Sequence, residues 1–121
     1  MIYESSVSVS SSCVPGVTLT IRRVSVAGRL ELLRRVRELT IRNEFFNAGA
    51  QLTDKLSASI ASGEVESLYV AWGVTGVQGL IIDGVEATPE SLVVLGPESL
   101  VREAATLVRS QLGLNEDERK N

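Results

Sequence analysis

The chain predicts an α+β fold, an N-terminal antiparallel β-hairpin plus a short second hairpin packed with four to five α-helices. Three observations carry this expectation. Apolar and polar residues alternate on both sides of a Pro-Gly turn near the N-terminus. A second turn signal, Asp83-Gly84, stands between short β-branched runs, and this dipeptide favours a two-residue hairpin. Elsewhere apolar residues recur at three- and four-residue intervals, the spacing of one helix face.

The first hairpin is read from residues 5–21. Val7 and Val9 alternate with serines in 5–12, and Val17, Leu19 and Ile21 alternate with Thr18, Thr20 and Arg22. Between them Val14-Pro15-Gly16 supplies a turn, because Pro presets φ and Gly accepts φ > 0. The serine-rich strand in 1–12 is the weaker one, and as an edge it is either flexible or ordered by a partner.

From Ser25 or Gly28 a long helix runs to about Ala48, ended by Asn47-Ala48-Gly49. Leu30, Leu33, Arg37 and Ile41 form one stripe on it, and Leu32, Val36, Leu39 and Phe46 an adjacent one. That width suits a helix facing a core. A second helix is expected from an N-cap at Thr53, with Leu56 and Ile60 inward and Gly63 as its stop. Val65, Leu68, Tyr69 and Trp72 then make a further helical face.

Val77 to Ile82 reads as a strand, and Val85 to Ala87 as its return across Asp83-Gly84. Thr88-Pro89-Glu90 combines an N-cap, a proline in the first turn and an acid, so a short helix starts there. Gly96 breaks it and Pro97-Glu98 starts the last helix, whose Leu100, Val101, Ala104, Leu107, Val108 and Leu112 follow the 3.6 period until Gly113. Asn115 with Glu118 resembles a capping box for a charged, frayed tail at 114–121. The core is expected to hold Leu19, Ile21, Leu33, Val36, Leu68, Trp72, Leu80, Ile82, Leu100, Ala104, Leu107 and Val108.

Length and composition bound the function. A chain of 121 residues is one domain, spanning 1–121, and buries roughly 65% of its unfolded surface without staples. Apolar residues are 44% and aromatic ones only 4%, so the core is aliphatic. No apolar run approaches the ~20 residues of a bilayer span, and the first residues lack a signal pattern. Cys13 is the single cysteine; no internal disulfide can form, and a reducing, intracellular compartment is expected.

Seven arginines (22, 23, 29, 34, 35, 37 and 42) cluster in the first half, whereas residues 64–121 hold ten acids against four bases. Such a cluster is the footprint of nucleic acid, or else a solvated helix face. The pairs Glu31/Arg35, Arg34/Glu38 and Glu38/Arg42 stand at i,i+4 spacing, the pI is near 5.0, and no aromatics are interleaved. The solvated face is favoured, and no nucleic-acid or membrane partner is expected. The basic helix could also meet an acidic surface, in its own second half or on a neighbouring subunit.

Nothing in the chain resembles catalytic equipment. There is no histidine, which removes the commonest base near neutral pH, the Ser-His and Cys-His pairs and the commonest metal ligand. Cys13 reads as an inert, half-buried small residue. Glu64 and Glu66 stand at i,i+2 and do not face each other on a helix; Glu116-Asp117-Glu118 is a solvated tail cluster. Gly73, Gly76 and Gly79 recur every third residue, but lack the strand-before, helix-after context and the lysine of a phosphate loop. They mark turns and close backbone approach, and Trp72 beside them is a core anchor. No catalytic, cofactor-binding or metal-binding residue is assigned, and a non-enzymatic protein binder is expected.

An ordered string in the second half goes further. Trp72-Gly73, Val77-Gln78-Gly79-Leu80-Ile81-Ile82-Asp83-Gly84, Ala87-Thr88-Pro89-Glu90-Ser91-Leu92, Gly96-Pro97-Glu98 and the ending Leu114-Asn115-Glu116-Asp117-Glu118-Arg119-Lys120-Asn121 resemble the tail assembly chaperone type, small proteins encoded among the tail genes of long-tailed bacteriophages and prophages. The hairpin followed by an Arg-rich helix is similar too, so the resemblance covers about residues 14–121 and leaves 5–12 outside. It implies a protein of the bacterial host cytoplasm that keeps the helical tape measure protein soluble during tail assembly. The chain has more apolar helical faces than one short hairpin can cover, so self-association into a homo-oligomer is expected in the absence of a client. The alternative is a minor structural tail protein (tube, terminator or connector subunit) retained in the virion tail.

Overall fold

The computed structural model describes residues 1–47 and 51–113, and the side chains of these residues other than 43–47, 51–55 and 57. The architecture is α+β. A three-stranded antiparallel sheet joins β1 (Ser6–Ser10), β2 (Thr18–Arg22) and β3 (Val74–Gln78) in that order. A separate two-stranded hairpin joins β4 (Ile81–Ile82) and β5 (Val85–Glu86). Four helices complete the described fold: α1 (Val26–Asn47), α2 (Gln51–Gly73), α3 (Pro89–Leu95) and α4 (Glu98–Leu112).

The central strand follows its alternation. Val17, Leu19 and Ile21 are buried, and Thr18, Thr20 and Arg22 lie on the other face. The serine-rich strand is ordered within the chain, Val7 opposite Ile21 and Val9 opposite Leu19. On the other side β3 breaks step: Ile21 pairs with Val74 but Thr20 with Gly76, so Thr75 is an extra residue. A bulge of one residue shifts the face phase by one. For that reason Val74 and Val77, three apart, both reach the core.

The apolar run expected as one strand over 77–82 is therefore divided between two sheets. The break is Gly79, at φ +84, where a Cβ would lie 2.1 Å from the carbonyl oxygen of Gly16. Only glycine fits so tight a crossing of the two turns. At the second hairpin Asp83 and Gly84 both have positive φ, the conformation of a type I′ turn.

The last two helices start and stop where their residues direct. Thr88 and Ser91 form a reciprocal capping box, Gly96 donates its N–H to Leu92, and Gly113 closes α4 in the left-handed conformation. On α4 Leu100, Ala104, Ala105, Val108 and Leu112 are buried as one stripe. They pack against the end of α2, where a Cβ on Gly73 would stand 2.4 Å from Val108.

Four expectations for the long helices are corrected. Gly63 does not stop a helix, and α2 runs unbroken for 23 residues. A mid-helix glycine costs only about 1 kcal/mol against alanine, which packing on α1 can offset. Thr53 is consequently inside α2 and not its N-cap. On α1 the two stripes have unequal fates. Leu32 is fully buried and Val36 and Leu39 are half-buried, whereas Leu30, Leu33 and Ile41 are exposed. A single α-helix laid along α1 covers one side, and α2 covers the Leu32 side. Leu56 and Ile60 of α2 are likewise exposed, not inward. The sequence motif at Asn115 and Glu118 lies outside the described residues, as do the side chains of Phe46 and Asn47. Among the described residues no helix is long and apolar enough to cross a membrane.

Of the expected core, Leu19, Ile21, Trp72, Leu100, Ala104 and Val108 are buried. Val36, Leu68, Leu80, Ile82 and Leu107 are half-buried against it, and Leu33 is the one that faces solvent. Val17, Leu32, Tyr69, Val70 and Leu92 join the core in addition.

Candidate functional site

Two features of the described residues bear on a functional site: a polar clasp at the tip of the first hairpin and an apolar tract along the α1–α2 pair. The clasp joins residues 92 positions apart. Ser11 Oγ donates to Glu103 Oε1 at 2.5 Å, while the Ser12 N–H and hydroxyl donate to Oε2 at 2.7 and 2.6 Å. The Cys13 and Val14 N–H groups in turn donate to Ser11 Oγ. Partial burial alone would raise the Glu103 carboxyl, but hydrogen bonds from Ser11 and Ser12 outweigh it and hold the group below the usual carboxylate range. Every lone pair used here faces a donor from the β1–β2 loop, so the clasp fixes the loop on α4 and leaves little capacity for a ligand. Cys13 is exposed at this tip rather than half-buried, because its N–H is taken by the turn and its side chain points away from the core.

The arginines are spent largely on the fold. The guanidinium of Arg22 lies 4.8 Å over the Trp72 ring and that of Arg109 5.1 Å over Tyr69. Arg29 donates to the Leu112 carbonyl at 2.8 Å, capping the end of α4 from α1. Arg35 pairs with Glu31 as the i,i+4 spacing predicts. Arg42 does not pair with Glu38; it reaches across to Glu64 on α2. Arg34 and Arg37 remain exposed with no acidic partner among the described residues. Trp72 is the core anchor the sequence suggested, buried on its ring faces, with its Nε1 lacking a hydrogen-bond partner.

The apolar tract is the larger feature. Between Leu33 and Leu68 no described residue is buried, although this stretch carries Ile41, Leu56 and Ile60, each more than half exposed. Where α1, α2 and α3 meet, Leu39, Ile60, Leu68, Ala71, Val93 and Val94 line a groove of about 720 Å³. Glu64, Ser67 and Glu90 stand at its edge. Its floor is α2 and its sides are α1 and α3. The periodicity of α1 contains the signal for this surface, two adjacent apolar stripes on one helix, but not which of the two would be left open.

Among the described residues no group of three His, Cys, Asp or Glu side chains is placed to hold a metal ion. Comparison of the chain with protein-family models, curated proteins and solved structures finds no match.

Proposed function

We propose that this protein is a non-enzymatic assembly chaperone for the tails of long-tailed bacteriophages, holding the helical tape measure protein soluble in the cytoplasm of the bacterial host. The observation that carries the reading is the unpartnered apolar tract of the α1–α2 pair and its groove. A holding protein for an amphipathic helix needs an apolar groove of helical width and no reaction centre. The resemblance of the second half of the chain to tail assembly chaperones supplies the identity of the client. Among the described residues the arginines left over from the fold, Arg23, Arg34 and Arg37, are too few for a duplex footprint, so nucleic acid and membrane are not among the partners proposed.

Co-expression with the tape measure protein of the same phage tests this. The soluble fraction of the client rises, the two proteins co-purify, and the complex survives moderate salt, because apolar burial is not screened as exposed ion pairs are. A client that stays insoluble, with the tagged protein sedimenting with finished tails, supports the second reading, a structural tail subunit. One observation favours that alternative: β1 is an edge strand, and an edge can extend a neighbour's sheet.

A further inference from the structure

We infer that copies of this chain associate head to tail, the outer stripe of α1 in one copy occupying the α1–α2–α3 groove of the next. The two surfaces match in three respects. The first is shape. The groove is an open apolar concavity of about 720 Å³ between α1, α2 and α3, and α1 offers a helical ridge from Leu30 to Ile41, about 16 Å long at 1.5 Å per residue. The second is polarity. Leu30, Leu33 and Ile41 are 46%, 42% and 53% exposed, and the groove presents Ile60 and Val94 at 60% and 75%. Among the described residues neither surface is covered by another part of the chain.

The third is charge. The α1 stripe is flanked by Arg34 and Arg37 and the groove is lined by Glu90, none of them with an ion-pair partner among the described residues, whereas Glu64 in the same groove is already paired with Arg42. Opposite signs across such a rim steer association and set the register. This complementarity favours a second copy as the occupant when no client is present.

Geometry then decides the symmetry. Leu39 and Leu32 face α2, and at 100° per residue Leu30, Arg37 and Ile41 lie on the far side of the same helix. Donor stripe and acceptor groove thus sit on opposite sides of α1. A contact between two different surfaces is heterologous, and repeats into a ring or an open filament instead of closing as a two-fold dimer. No client is needed for it.

Sedimentation velocity of the full chain from low to high micromolar concentration tests the inference. The wild type forms species larger than a dimer as concentration rises. Leu33→Glu/Ile41→Glu, which spoils only the stripe, and Ile60→Glu/Val94→Glu, which spoils only the groove, are each monomeric. An equimolar mixture of the two variants gives a heterodimer and nothing larger, since one intact stripe and one intact groove remain. Within one chain, Arg37→Glu reduces the assembled fraction and adding Glu90→Arg restores it; this pair needs no change to an apolar residue and so covers a failure of the double variants to fold. A two-fold dimer, variants that still assemble, or a mixture that stays monomeric overturns the inference. So does a wild type that is monomeric throughout while the groove variant loses the soluble client, an outcome that assigns the groove to the client and leaves the chaperone reading standing.

Discussion

The α1–α2 pair carries more apolar residues than the sheet with α4, yet only the sheet with α4 is closed. On α4 the stripe Leu100, Ala104, Ala105, Val108 and Leu112 meets Gly73, Trp72 and the inner face of the sheet, and every member is buried. On α1, 22 residues long, Leu32 is the single fully buried residue described. The difference lies in what stands opposite. A helix face is buried by a layer, and α4 has α2 on one side and β2 on the other, whereas among the described residues α1 packs chiefly on α2. Two helices side by side cover one stripe of each and leave the remaining sides to solvent or to another protein. The closed region accounts for stability, and the open one is the surface on which the proposed binding rests.

Changes that strike the closed region carry the largest expected effect. Leu100→Ala removes a fully buried side chain and costs about 2–5 kcal/mol in chemical unfolding. The same truncation at exposed Leu33 stays within about 0.5 kcal/mol. Equal costs at the two positions would break the division between the regions.

A tight contact in the closed region is tested from the opposite direction. Gly73→Ala places a methyl 2.4 Å from Val108 and costs about 1–3 kcal/mol through overpacking. Combining it with Val108→Ala opens room for the methyl, so the double variant loses less than the two single losses added together.

The clasp between Glu103 and the β1–β2 loop ties the hairpin tip to α4, and Glu103→Ala loses about 1–3 kcal/mol at neutral pH. The pH dependence has a definite sign. The carboxyl is lowered in the folded state, so its stabilisation is present above the ordinary carboxylate range and is lost as pH falls through the folded value. The stability difference between wild type and Glu103→Gln therefore shrinks in acid, below about pH 4. A difference that holds constant down to pH 2 would show that the hydrogen bonds do not favour the ionised form.

The smallest effect is a gain. A Cβ on Gly63 meets nothing within 4 Å, so Gly63→Ala stiffens α2 and adds about 0.5–1 kcal/mol to thermal stability. A loss there would mean that α2 needs the glycine to bend or to admit a partner at the groove it lines.

Much of this fold was legible in the residues. The alternation of Val17, Leu19 and Ile21, the Thr88-Pro89 start, the Asp83-Gly84 turn and the α4 period each act over a few positions, where local sterics and hydrogen bonding are decisive. The α+β class, the burial of Trp72 and the absence of histidine chemistry follow from the chain alone. What tertiary structure decided is of longer range. Gly63 looks like a helix stop, and only the packing of α2 along α1 lets the helix pass through it. Val77 to Ile82 looks like one strand, and only the approach of the Gly16 carbonyl to Gly79 divides it. Glu103 carries no local mark of its serine partners. The two apolar stripes of α1 are equivalent by period, and the one that is buried is chosen by which side α2 lies on. A periodic pattern states that a face is apolar, but the element standing opposite decides whether that face becomes core or interface.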